Sequence, residues 1–137
     1  MKRGDTNTSL EALRAAVDLL PIYTEARIAY AIALAQMGDC PRGAQVLRAG
    51  LGRPSSNVAA ATMWATLGDV LAKGGDFYGA EDAFKQSGQQ AGFEGRAAAG
   101  LARAYAKLGR YADSFEQLGI VAKLSAEFDS NAATDSP

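Results

Sequence analysis

The sequence predicts an all-α chain of about seven helices, folded as successive antiparallel pairs. Three observations predict it. Apolar residues recur at three- and four-residue steps along most of the 137 residues. No segment alternates apolar and polar residues with β-branched enrichment, so nothing reads as a strand. The chain also matches itself when shifted by 34 residues, with small, large and turn residues falling on their own kind.

Residues Met1 to Thr8 are polar and read as a flexible lead. Leu10, Leu13, Val17 and Leu20 then give a first helix that starts near Ser9 and is stopped by Pro21. A second runs from about Tyr23 to Met37 and ends at Gly38-Asp39, a C-terminal glycine signal. Pro41 suits the first turn of the third, about Pro41 to Gly50. The stretch GLGRPSSN, Gly50 to Asn57, reads as a loop. Four more helices follow at about Val58 to Lys73, Phe77 to Gly88, Phe93 to Leu108 and Tyr111 to Glu127. The helical domain is thus 9–127. The polar, small-residue stretch 128–137 reads as a disordered tail.

At a shift of 34, Leu67 falls on Leu101, Gly75 on Gly109, Phe77 on Tyr111, Ala80 on Ser114 and Phe84 on Leu118. The preceding helix pair joins at a shift of 37, with Leu34 on Leu71, Gly38 on Gly75, Gly43 on Ala80 and Leu47 on Phe84. The extra residues sit in the Arg53-Pro54-Ser55 loop, where insertions cost little. The first helix is half a unit, with Ser9 and Leu13 matching Gly43 and Leu47. The pattern resembles the tetratricopeptide repeat (TPR), whose signature is W-x2-L-G-x2-Y, then A-x3-F, then P. Trp64-x2-Leu67-Gly68-x2-Leu71 followed by Ala80-x3-Phe84 is its best copy. The next copy has Ala98 for the tryptophan and Ala102 for the glycine, and the earlier one has Arg27 and Tyr30 for the tryptophan and leucine. The resemblance implies a right-handed solenoid of helix pairs in which small residues at helix crossings let paired helices approach closely.

Composition bounds the function. Net charge is −1, so no global field favours nucleic acid, and no apolar run is long enough to insert in a membrane. No h-region follows the basic start, so the expected location is the cytoplasm, or the periplasm if the chain is a piece of a longer exported or anchored protein. One cysteine and no histidine exclude an intramolecular disulfide and every His-dependent triad or metal site, and no cofactor is expected. Cys40 reads as a small buried hydrophobe.

The string KGGDFYGA, Lys73 to Ala80, invites a nucleotide-loop reading. It lacks the preceding strand, the Lys-Ser/Thr ending and the G-x-G-x-x-G spacing that such loops need, and it reads as a helix corner. Glu81, Asp82 and Glu11 read as isolated surface carboxylates. The chain is therefore expected to catalyse nothing.

The TPR resemblance implies a concave groove lined by the first helix of each pair. Its register gives Glu25, Ile28, Ile32 and Gln36, then Thr62, Ala65, Asp69 and Lys73, then Arg96, Ala99, Arg103 and Lys107. The groove would be apolar at its N-terminal end and basic at the other, suited to a protein or peptide partner with an acidic segment. Asn57 falls in a loop and the carboxylate clamp of chaperone-binding family members needs asparagines, so chaperone C-termini are disfavoured. Two roles fit the resemblance: a bacterial assembly or secretion chaperone, and a domain of a larger repeat protein. A third reading comes from the ends. The last helix has more apolar positions than one buried face uses, which leaves Ile120, Leu124 and Phe128 as a candidate patch for forming homo-oligomers, unless the chain is cut from a longer array.

Overall fold

The computed structural model describes residues 9–16 and 23–134. Within them lie seven helices and no strand: α1 (of which residues 9–16 are described), α2 Thr24–Gln36, α3 Cys40–Leu51, α4 Asn57–Lys73, α5 Phe77–Ser87, α6 Glu94–Lys107 and α7 Tyr111–Thr134. The lead at 1–8 and the stop at Pro21 lie outside the described residues. For α2 to α7 the boundaries fall within a residue of the sequence reading except the end of α7, and one small shift has a clear cause. Asn57 opens α4, because the Ser56 hydroxyl caps the helix one residue earlier by accepting from the Ala59 amide at 3.0 Å. α7 continues to Thr134, through most of the stretch 128–137 that composition assigns to a tail. No proline or second glycine interrupts the chain between Gly119 and Pro137, so polarity alone does not stop the helix.

The corners explain why the pairs fold alike. Gly38, Gly75 and Gly109 have φ of 92°, 89° and 79°, a region that side chains with a Cβ rarely enter. The amide after each glycine reaches back to close the helix, Asp39 to Leu34, Asp76 to Leu71 and Arg110 to Tyr105, at 2.8–2.9 Å. Asp39 and Asp76 then cap the following helices by accepting from the Arg42 and Gly79 amides. The Lys73–Ala80 string is this corner.

Helices pack as pairs, α2 with α3, α4 with α5, and α6 with α7, and each pair docks on the next through α3–α4 and α5–α6. The first helices also approach one another, α2 to α4 and α4 to α6, whereas α3, α5 and α7 stay apart. Closer spacing on the first-helix side makes that side concave. Small residues hold the crossings: a Cβ on Gly43 would meet the Ala31 carbonyl at 2.7 Å, and the Ser114 hydroxyl donates to the Ala102 carbonyl at 2.8 Å. Phe84 is the central plug, 1% exposed, and its ring would lie 2.7 Å from a Cβ on Gly68 and also crowds Gly100. Leu47, Met63 and Leu67 fill the rest of the core around it. Cys40 is buried at the edge of that core as a free thiol. Among the described residues, no helix is long and apolar enough to cross a membrane.

Candidate peptide-binding groove

The inner face is built by α4 and α6, which present residues at i, i+4 and i+7 steps toward the same side. Between them and α5 lies a cavity of about 370 Å³ lined by Asp69, Ala72, Lys73, Phe77, Phe84, Gly100, Arg103, Ala104 and Lys107. Four residues expected in the groove, Asp69, Lys73, Arg103 and Lys107, therefore meet around one site. Its floor is apolar, made by the aromatic pair Phe77 and Phe84 with the small residues Ala72, Gly100 and Ala104. Gly100 keeps the floor open above the Phe84 ring.

Asp69 organises the rim. Its carboxylate accepts from the Arg96 guanidinium at 3.0 Å and pairs with Arg103 at 3.5 Å, tying α4 to α6. Partial burial pushes the Asp69 carboxyl above the ordinary aspartate range, while Arg96 and then Arg103 pull it back down. Arg103 remains 76% exposed at its side chain and Lys73 and Lys107 are exposed, so the cavity rim holds three cations against one carboxylate. The basic stripe of the sequence reading is thus partly neutralised, with Arg96 engaged outside the cavity lining.

The other groove residues do not join this site. Ile32 is 40% exposed on α2, Ile28 packs partly against the core, and Gln36 is exposed near the α2 end. The Thr62 hydroxyl donates to the Val58 carbonyl at 2.8 Å within its own helix. Ala65 departs from its expected place: it is fully buried.

Two findings lay beyond sequence reasoning. Glu81 is not an isolated surface carboxylate. It accepts from Lys85 at 3.0 Å, from the Tyr105 hydroxyl at 3.2 Å and from Arg110 at 3.2 Å, joining α5 to α6 and to the corner before α7. Arg110 also stacks over the Tyr105 ring at 4.4 Å and pairs with Asp113. Only the Glu81–Lys85 spacing of four was visible in the chain itself. The second is the face of α7. Its stripe toward α6 is Ser114, Gln117, Val121 and Leu124, all buried or half-buried, and a Cβ on Gly95 of α6 would touch Leu124 at 3.7 Å. Leu124 therefore leaves the expected end patch, while Ile120 and Phe128 are exposed at 39% and 73%. The larger exposed set is Tyr111, Phe115 and Leu118, at 64%, 72% and 49%.

No family model matches the chain, and no curated protein matches it. Solved structures do. The chain is similar to MamA MSR-1 C2, with a TM-score of 0.73 at 18% identity, over 90% of this chain and 70% of that one. It is likewise similar to a crystal structure of MamA, with a TM-score of 0.69 at 16% identity, over 84% of this chain and 66% of that one. At this identity the likeness shows the fold: a TPR-like solenoid of helix pairs.

Proposed function

We propose that this chain is a non-catalytic protein-interaction scaffold whose inner face holds an extended segment of a partner protein. The observation behind this reading is the cavity between α4, α5 and α6, with its aromatic floor and its rim of Lys73, Arg103 and Lys107. An apolar side chain fits the floor while carboxylates on either side of it meet the cations. Asp69 sets the limit, since it holds Arg103 in place and repels a carboxylate placed directly over α4. The TPR-like fold supports the same reading, because such solenoids offer long concave surfaces. Within this class, a bacterial assembly or secretion chaperone and one domain of a longer repeat protein both suit such a scaffold, in the cytoplasm or, for a piece of an exported or anchored protein, the periplasm.

The test is binding of short fluorescent peptides that carry one phenylalanine flanked by glutamates, with lysine-flanked versions as controls. Exposed rim charges act mainly through long-range attraction, so binding is expected to weaken steeply with salt. The pair Arg103→Glu and Lys107→Glu is expected to weaken the acidic peptides at least about tenfold at low salt, a loss of about 1.4 kcal/mol. Equal binding by the reversed variant, or equal binding of both peptide sets, would refute the reading.

A further inference from the structure

Each interior pair ends in a helix whose outer face is covered by the next first helix. α3 is covered by α4 and α5 by α6, and the plugs Leu47 and Phe84 are fully buried there. α7 has the same register and no following helix among the described residues. Its plug Leu118 is 49% exposed, with Phe115 and Tyr111 on the same stripe, three and seven residues before it.

The register also identifies what matches this face. Ser114-Phe115-Glu116-Gln117-Leu118 on α7 matches Ser9-Leu10-Glu11-Ala12-Leu13 on α1 in type at every place except Gln117 against Ala12. α1 is the second-helix half of a pair and borders α2, where Leu10 shares a cavity lining with Tyr30 and Leu34. The repeat carries Ala97, Gly100 and Ala104, the stripe of α6 that faces α5, onto Ala26, Ala29 and Ala33 of α2. Ala29 and Ala33 stay half-buried with α1 in place, as do Leu10 and Leu13. Chemistry selects α2 as well. At the α5–α6 junction the polar Glu81 faces the Tyr105 hydroxyl, and the repeat places Phe115 and Leu34 at those two positions. Phe115 can meet Leu34 as Leu10 does, in a lining that also holds Tyr30 and Arg42 of the receiving copy.

We infer that α7 of one copy docks on α2 of a second copy in the seat held by α1, so that the solenoid continues from molecule to molecule. The occupant of the exposed α7 face is thus a second copy of this chain, and α1 is the plug it must displace. The contact is heterologous, with different surfaces on the two copies, so it propagates into chains or closes into rings. This surface is separate from the inner groove, and such an assembly would align several grooves along one edge, raising avidity for a repeated partner.

The experiment is sedimentation velocity of the full chain over a wide concentration series. Mean mass is expected to rise with concentration, and Phe115→Glu is expected to leave a monomer throughout. Because Phe115 is 72% exposed, this change leaves the fold intact, which circular dichroism checks. Leu10→Glu loosens the plug, so a larger fraction of α2 is open, and half-association should occur at a concentration at least about tenfold lower. Ala29→Glu blocks the seat and is expected to be monomeric alone, yet to form a one-to-one dimer with Phe115→Glu, which keeps its seat. The inference is overturned if Leu10→Glu associates no better than wild type. It is equally overturned if Ala29→Glu associates with itself, which would mean a symmetric α7–α7 contact, or if the mixed variants stay apart.

Discussion

Arg27 stands where the best repeat has Trp64, and the structure shows what that exchange requires. The Arg27 side chain is buried and its guanidinium donates to the Val46 carbonyl at 2.8 Å, so a long cation is threaded between α2 and α3. Gly50 makes the space. A Cβ there would press on the Arg27 stem, lie 2.7 Å from its Nε and 2.8 Å from the Met63 sulfur. The equivalent places in the other pairs hold Ser87 and Val121, opposite Trp64 and Ala98. Gly50→Ala should therefore overpack this crossing and cost about 1–3 kcal/mol in urea unfolding, despite the better helix propensity of alanine. In an Arg27→Ala background the cost should shrink, because the clashing stem is gone. A neutral Gly50→Ala in the wild type would show that the arginine is held elsewhere.

Helices and their corners were largely legible in the chain, because glycine, aspartate and apolar spacing act locally. The Gly38, Gly75 and Gly109 corners and the Asp39 and Asp76 caps follow from neighbours a few residues away. What joins one helix to another across a pair was less so. Glu81 and Arg110 are 29 residues apart and meet only because α5 and the α6–α7 corner dock. A separation of 27 residues likewise hides the pairing of Asp69 with Arg96, which leaves part of the basic stripe engaged. On α7 the apolar spacing alone does not say which stripe meets α6: Leu124 joins Ser114, Gln117 and Val121 on that side, while Ile120 and Phe128 stay exposed.

The Glu81 cluster yields a pH prediction at this scale. Desolvation raises its carboxyl, but the hydrogen bonds and charges of Lys85, Tyr105 and Arg110 together outweigh it and hold the group below the ordinary value of 4.5. A depressed carboxyl binds fewer protons folded than unfolded, so its stabilisation is present above the ordinary glutamate range and is lost as pH falls through the folded value. Glu81→Gln should cost about 1 kcal/mol at neutral pH, with the gap to wild type closing in acid. Thermal melts across a pH series measure it. A gap that stays constant into acid would assign the effect to shape, with charge irrelevant.

At the scale of the whole molecule, stability should depend on how many neighbours each pair has. In a solenoid each unit touches only the next, so total stability is a sum of units and junctions. Phe84 serves two junctions at once, against Gly68 of its own pair and Gly100 of the next. Leu118 fills the same register with one side open. Phe84→Ala is expected to cost about 3–5 kcal/mol, the range for deleting a fully buried aromatic ring. Leu118→Ala, leaving a half-exposed site, should cost less than about 1 kcal/mol in dilute solution, because little apolar area is returned to water. Hydrogen exchange distinguishes the two further. Loss of Phe84 uncouples α6 and α7 from the rest, so their amides should speed up together, while Leu118→Ala should affect α7 alone. Equal costs for the two substitutions in the dilute monomer would mean that Leu118 is covered as fully as Phe84.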